Sequence, residues 1–315
     1  MGGYIDASSV NHGFLRTPEG RITTFDVPGA ATGAGQGTIP LGMNSAQEIT
    51  GYYFDANNAG HGFLRAPHGK FTTFDAPGAG TGSLEGTAPA NINPAGEIEG
   101  DVTEAGDLYH AFVRARDGKF RIFDAPGTGT VPGYGTDWTS FYGLNPAGAA
   151  TGPYTDASGV FHGWVRARDG DLTTFDVPGA STVSGEGTFA FNINPEGAIA
   201  GFYTGSGGVS YGFLRAPDGA ITPFDVPGAG TGNGQGTFPQ ANNPSGAIAG
   251  TYIDSANVYH GFVRVSEGTI TIFDVPGAGT ASGQGTVAIG INPAGAITGY
   301  YVDASNVNHG FLRTP

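Results

Sequence analysis

The chain has 315 residues, of which 58 are glycine and 21 proline, about the level at which an aperiodic chain is expected to be disordered. Only 13% of residues are charged while 11% are aromatic, the reverse of a disordered composition, so a repeating structure must place the glycines. The formal net charge of −14 with 13 basic residues argues against nucleic acid, the absence of cysteine excludes disulfides and thiolate metal sites, and no apolar run approaches the ~18 residues that span a bilayer.

The chain opens Met-Gly-Gly-Tyr-Ile-Asp, with no signal-peptide pattern. Three motifs then recur. His-Gly-Phe-Leu-Arg and its variants begin at His12, His61, His110, His162, Tyr211, His260 and His309. Phe-Asp-(Val/Ala)-Pro-Gly begins at Phe25, Phe74, Phe123, Phe175, Phe224 and Phe273, at spacings of 49, 49, 52, 49 and 49. Asn-Pro-x-Gly begins at Asn93, Asn145, Asn194, Asn243 and Asn292, with Asn44-Ser45-Ala46-Gln47 as a degenerate first copy. The whole chain, 1–315, reads as one domain of ~49-residue repeats: 1–29 (partial), 30–78, 79–127, 128–179, 180–228, 229–277 and 278–315 (partial).

Each repeat reads as four short strands separated by Pro, Gly, Asn and Asp. In residues 187–228 these are Thr188 to Asn194, Ala198 to Tyr203, Tyr211 to Ala216 and Ile221 to Val226. Asn194-Pro195-Glu196-Gly197 is a type I turn between the first two. Gly228 to Gly236 is the long link to the next repeat. No segment has a useful helical period. Three tight connections and one long one, in units of this length, predict an all-β fold: a β-propeller of four-stranded antiparallel blades. A β-helix is the rival, but its coils lack tight hairpins. The chain starts at a second strand and ends after a third, which makes 26 strands. Six blades are favoured over seven, because a missing inner strand would open the core. The terminal strands are then in surplus, since Gly3 to Pro18 nearly repeats Gly299 to Pro315.

His110-Ala111-Phe112 is the tripeptide that names the bacterial HAF extracellular repeats, and Ile291 to Phe311 (Ile-Asn-x-x-Gly-x-Ile-x-Gly-x-Tyr-x-Asp…His-Gly-Phe) resembles that repeat along its length. The likeness covers essentially the whole chain and departs at Thr-Thr-Phe-Asp-Val-Pro-Gly-Ala, where the family has a Leu- and Gly-rich ending. The resemblance implies secretion or surface location and a propeller-like fold. It implies no catalytic residue.

Residues that recur in every repeat are explained first by the repeat. Equivalent histidines lie one per blade and cannot converge on one ion, which needs about four ligands within ~2 Å. They are read as buried imidazoles bonded to backbone or to a neighbouring blade. The repeated arginines, Arg16 to Arg313, invite an ion pair with the motif aspartates, Asp26 to Asp274. A hairpin with Arg16 opposite Arg21 puts Asp26 roughly 16 Å away along the strand, so any such pair would join adjacent blades. A second set, Asp6, Asp55, Asp156, Asp254 and Asp303, ends strand two and reads as turn chemistry with a left-handed Gly or Asn to follow; a calcium loop is the alternative. The Gly-rich links precede strands, not helices, and so are not phosphate cradles.

A site specific to one place must come from a break in the symmetry. The 52-residue spacing locates one, where Val131 to Trp138 replaces the usual Gly-Gln-Gly-Thr. Tyr134, Asp137, Trp138, Tyr142 and Trp164 are the candidate ligand-binding residues, by analogy with aromatic platforms for sugar rings. No catalytic residue and no metal ligand is assigned. The expected function is a non-enzymatic, secreted or surface-exposed binding or scaffolding module, with multivalent recognition of a glycan. A self-assembling structural protein using the surplus terminal strands and a polysaccharide-acting enzyme with a site on one propeller face are the alternatives. The expected partner is carbohydrate or another protein, with neither nucleic acid nor membrane insertion, and no cofactor is implied beyond the calcium alternative.

Overall fold

The computed structural model describes residues 1–136 and 143–315. Among these residues there are 26 strands and no helix. The chain divides into two compact units, Met1–Gly148 with Tyr154–Ala157, and Ala149–Pro153 with Ser158–Pro315.

In the first unit the partial N-terminal repeat gives β1 (Gly2–Ile5), β2 (Asn11–Arg16) and β3 (Ile22–Phe25). The next gives β4 (Gly37–Met43), β5 (Ile49–Phe54), β6 (Gly60–Arg65) and β7 (Phe71–Phe74). Then come β8 (Gly86–Ile92), β9 (Ile98–Thr103), β10 (Tyr109–Arg114), β11 (Phe120–Phe123) and the short β12 (Gly143–Leu144). Strands pair antiparallel in chain order, so β4 to β7 form a meander. One parallel bridge joins each repeat to the next, Asn11 to Gly37 and Gly60 to Gly86. The bridge explains the glycine of every Gly-Thr pair. Gly86 has φ +127°, and a Cβ there would lie 2.0 Å from the Gly60 carbonyl oxygen.

The threonine beside that glycine is buried and ties the repeats together. Thr38, Thr87 and Thr136 Oγ1 accept the Val27, Ala76 and Ala125 amides at 2.9, 2.9 and 2.8 Å. The Asn-Pro-x-Gly motif adds a ladder: Asn44 Nδ2 donates to the Asn93 carbonyl at 3.1 Å, and Asn93 Nδ2 to that of Asn145 at 3.3 Å. The core itself lies between repeats. Ile92, Ile98, Val102 and Phe112 pack on Ala76, with Leu64 and Phe74 of the preceding repeat at the margin. A single repeat could not bury this face alone.

The second unit repeats the plan. Its strands are β13 (Ala150–Thr155), along which the division between units runs, β14 (Phe161–Arg166) and β15 (Leu172–Phe175). There follow β16 (Thr188–Ile193), β17 (Ile199–Thr204), β18 (Ser210–Arg215) and β19 (Ile221–Phe224). Then β20 (Gly236–Asn242), β21 (Ile248–Ile253), β22 (Tyr259–Arg264) and β23 (Ile270–Phe273) make another meander. The last three are β24 (Gly285–Ile291), β25 (Ile297–Val302) and β26 (Asn308–Arg313). The turn at 194–197 forms as read, with the Gly197 amide donating to the Asn194 carbonyl at 2.9 Å and Gly197 at φ +89°.

Candidate functional site

The most regular polar arrangement is centred on the histidines. In the β2–β3 hairpin Gly13 pairs with Phe25, which sets His12 and Asp26 side by side. His12 Nδ1 donates to Asp26 Oδ1 at 2.9 Å. The same bond joins His61 to Asp75, His110 to Asp124 and His162 to Asp176 at 2.8 Å, and His260 to Asp274 at 2.9 Å. The opposite ring nitrogen faces the carboxylate at the end of the second strand: Asp6 at 3.5 Å, Asp55 at 3.7 Å, Glu104 at 3.6 Å and Asp254 at 3.5 Å. A tyrosine lies against the ring, with centroid distances of 5.0 Å for Tyr4–His12, 5.2 Å for Tyr53–His61 and 4.8 Å for Tyr252–His260. His12, His61, His110 and His260 are thus half-buried imidazoles between two carboxylates, of which the Asp26-type one is exposed.

This corrects the expected partners of the histidines, which are neither backbone nor a neighbouring repeat. The signal was a constant separation of 14 residues between His and Asp. It was hidden by a one-residue slip in the assumed hairpin register. Arg16 lies opposite Ile22, not Arg21, and a single step moves every side chain to the other face. The 180–228 repeat shows how the set is coupled. There the turn carboxylate is Gly205 and the histidine is Tyr211, and Asp225 instead accepts the Val226 amide and the Thr237 hydroxyl.

The turn aspartates behave as read. Asp6 Oδ1 accepts the Ser8 and Val10 amides at 2.9 and 2.8 Å, and Asp55, Asp254 and Asp303 repeat the pattern. Ser9, Asn58, Asn257 and Asn306 close the hairpins at φ from 62° to 65°. The arginines do cross to a neighbouring repeat, but they land on phenylalanine. The Arg65 guanidinium sits 4.9 Å from the Phe25 ring centroid, Arg114 4.4 Å from Phe74, and Arg264 5.0 Å from Phe224. Cation–π contact, not an ion pair with the adjacent aspartate, is their inter-repeat bond.

The His12 set and the turn aspartates point to a pH response. The Val10 amide, chiefly, holds the Asp6 carboxyl below its ordinary value, and Asp55, Asp254 and Asp303 are lowered too. Burial pulls the His12 ring down, but its bonds to Asp26 and Asp6 outweigh this and raise it above 6.5. A raised histidine contributes stability below its unfolded value, and that contribution is lost as pH rises through the folded value. A lowered carboxyl contributes above its unfolded value of 3.8, and that contribution is lost as pH falls through the folded one. Thermal unfolding followed by circular dichroism is therefore expected to show maximal stability between these two limits. In His12→Gln the decline on the alkaline side should become shallower; an unchanged profile would show that the pair is energetically silent.

No protein-family model and no curated protein sequence matches the chain. Solved structures do. The lectin BP39L from Burkholderia pseudomallei is 12% identical, with a TM-score of 0.56 over 96% of this chain and 92% of that one. A puromycin hydrolase variant complexed with PGG is also 12% identical, with a TM-score of 0.52 over 99% of this chain and 52% of that one. A variant of the Aleuria aurantia lectin in complex with Fucα1-6GlcNAc is more distant, at 13% identity and a TM-score of 0.47 over 91% of this chain and 92% of that one. The fold is β-propeller-like.

Of the five expected ligand residues, the structure describes Tyr134 and Trp164. Asp137, Trp138 and Tyr142 lie outside the described residues. Tyr134 is half-buried, with its ring beside Gly129, where other repeats place the Gln36-type side chain that folds back on its own link. Trp164 is fully buried and its indole N–H donates to the Pro153 carbonyl at 3.1 Å. It fills the position of Phe63, Phe112, Phe213 and Phe262, the largest buried side chains of the other repeats. Trp164 is a core residue and is withdrawn as a sugar platform.

The sequence reading missed a second break in the symmetry. β9 reads Ile-Glu-Gly-Asp-Val-Thr where β5 reads Ile-Thr-Gly-Tyr-Tyr-Phe. Ile98 and Val102 face the core of the preceding repeat, so Glu99 and Asp101 point to the opposite face, and both are buried. Burial, together with the Asp101 charge, pushes the Tyr52 hydroxyl up to about 12. The signal was available: two carboxylates two residues apart in a strand that in the other complete repeats has Thr, Ala, Phe, Tyr or Pro at those positions.

Proposed function

We propose that the chain is a carbohydrate-binding β-propeller of four-stranded blades, six in number, of the HAF-repeat type and displayed outside the cell. The observation that supports this reading is the exposed carboxylate repeated at Asp26, Asp75, Asp124, Asp176 and Asp274. Each is fixed by a histidine Nδ1 bond, so its remaining acceptor capacity is oriented before any ligand arrives. Each stands beside an imidazole, and an oriented acceptor next to a planar ring is what a sugar's hydroxyls and apolar face require. Repetition at a 49-residue interval turns a weak single site into an avid surface for a polymer. The likeness to a lectin propeller agrees with the reading.

The test is a glycan array followed by calorimetric titration with the best monosaccharide. Binding with several equivalent sites per chain is expected, and Asp75→Asn should remove one site without lowering thermal stability by more than the ~1 kcal/mol of an exposed pair. Absence of binding to any glycan would sink the reading. Glu99 and Asp101 are both buried, and binding at the exposed carboxylates is the function we state.

A further inference from the structure

The imidazole–carboxylate sets carry more negative charge than a neutral sugar needs. Two of them lie wholly within one compact unit each: Asp55, His61 and Asp75 in the first, and Asp254, His260 and Asp274 in the second. Each opposes two carboxylates to one imidazole, at 3.7 and 2.8 Å in the first set and at 3.5 and 2.9 Å in the second. The sum is negative whether or not the ring is protonated.

No other cation enters. Among the described residues, the histidine is the only basic partner of Asp75 and of Asp274. The arginine of the same repeat is held away from them. Arg65 pairs with Phe71, further along the hairpin than Gly62 and Phe74, and its guanidinium sits 4.9 Å from the Phe25 ring centroid. Arg264 sits 5.0 Å from that of Phe224. The chain has 13 Lys and Arg against 27 Asp and Glu, so the wider surface does not neutralise the sets.

The two carboxylates of a set differ in what they still offer. Asp55 Oδ1 accepts the Asn57 and Ala59 amides at 2.8 and 2.9 Å, and Asp254 Oδ1 accepts the Ala256 and Val258 amides, both at 2.8 Å. Asp75 accepts the His61 ring bond on Oδ1, and the side chains of Asp75 and Asp274 are 53% and 56% exposed. The open charge is therefore at Asp75 and Asp274, with a second, fixed charge behind it. Both charges reach one phenol. Burial, together with Asp75 and Asp55, raises the Tyr53 hydroxyl above its ordinary value, and burial with Asp274 and Asp254 does the same to Tyr252.

We propose that the glycan these sets take is an amino-sugar polymer with free amines, each engaged ammonium pairing with the exposed carboxylate of Asp75 or Asp274. This rests on the reading of the sets as carbohydrate sites. An ammonium–carboxylate hydrogen bond is roughly twice as strong as a neutral one, and a sugar hydroxyl cannot supply it. A uronate or sulfated polymer meets like charge at each set and is rejected. A polymer with an amine on every residue can engage sets in more than one repeat.

Calorimetric titration of the full chain separates the classes. A short glucosamine oligomer is compared with its fully N-acetylated form and with an oligogalacturonate. The amine form is expected to bind at least tenfold more tightly than the N-acetylated one, about 1.4 kcal/mol, and the uronate not at all. The advantage should shrink severalfold at about 1 M salt, where the screening length is about 3 Å. Asp75→Asn/Asp274→Asn should lose two amine-binding sites with an unchanged circular dichroism spectrum; unchanged stoichiometry overturns the proposal. An N-acetylated oligomer that binds as tightly as the amine form also overturns it, and leaves the glycan reading standing. So does an oligolysine of equal charge that competes as well as the glycan, since the sets would then be simple ion exchangers. If no glycan of any class binds, the glycan reading itself fails and this proposal with it.

Discussion

Trp164→Ala is expected to destabilise the protein by about 3–5 kcal/mol, the range for deleting a large buried aromatic. The side chain is fully buried, and truncation also strands the Pro153 carbonyl that it bonds at 3.1 Å. Trp164→Phe restores the residue that Phe63, Phe112, Phe213 and Phe262 supply elsewhere. It should cost less than about 1.5 kcal/mol, as near-conserving core exchanges do. Chemical denaturation of both variants decides the matter. If Trp164→Ala unfolds like the parent chain but loses glycan binding, the side chain is a ligand contact after all and the packing account fails.

Gly86→Ala is expected to be comparably severe, at about 3 kcal/mol or more. Its Cβ would stand 2.0 Å from the Gly60 carbonyl oxygen and 2.8 Å from two further backbone atoms, at φ +127°. Backbone cannot yield as a side-chain tip can, and the conformation itself is strained for any residue with a Cβ. A mobile-tip contrast is Gly96→Ala: at φ +79° it shares the left-handed strain, but its Cβ meets the Arg116 guanidinium at 2.6 Å, a tip that can swing aside, so its loss should be the smaller. Equal losses for the two variants would show that the parallel bridge at Gly60 and Gly86 is not the constraint we describe.

The period, the turns and the strands were legible in the sequence because they are local. Asn194 to Gly197 can close only as a tight turn, and the aspartate-led hairpins after the second strands follow from the short reach of a carboxylate to amides two and four residues on. The partners of long side chains were not legible. Whether Arg65 meets an aspartate or the Phe25 ring depends on how far one repeat is turned over the next, and no spacing within the chain carries that angle. The His12–Asp26 pair lay between these cases. Its 14-residue separation is constant, yet its meaning rests on a hairpin register that shifts by one residue with the turn.

The candidate site divides in the same way. Tyr134 and Trp164 stood out as departures from the repeat, and departure alone does not say which way a side chain faces. Trp164 alternates inward on β14 and is core, whereas Asp75, present in every repeat and so set aside, is held outward by His61. Glu99 and Asp101 were unusual in type but sat in a strand whose neighbours read normally.

The sequence by itself determined the repeat, its four strands and the places where the chain must turn, because backbone sterics and turn hydrogen bonds act over a few residues. Only the tertiary structure decided which carboxylates are exposed and which rings are core. Those follow from register and from the stacking of repeat on repeat, where burial is shared between residues about 49 positions apart.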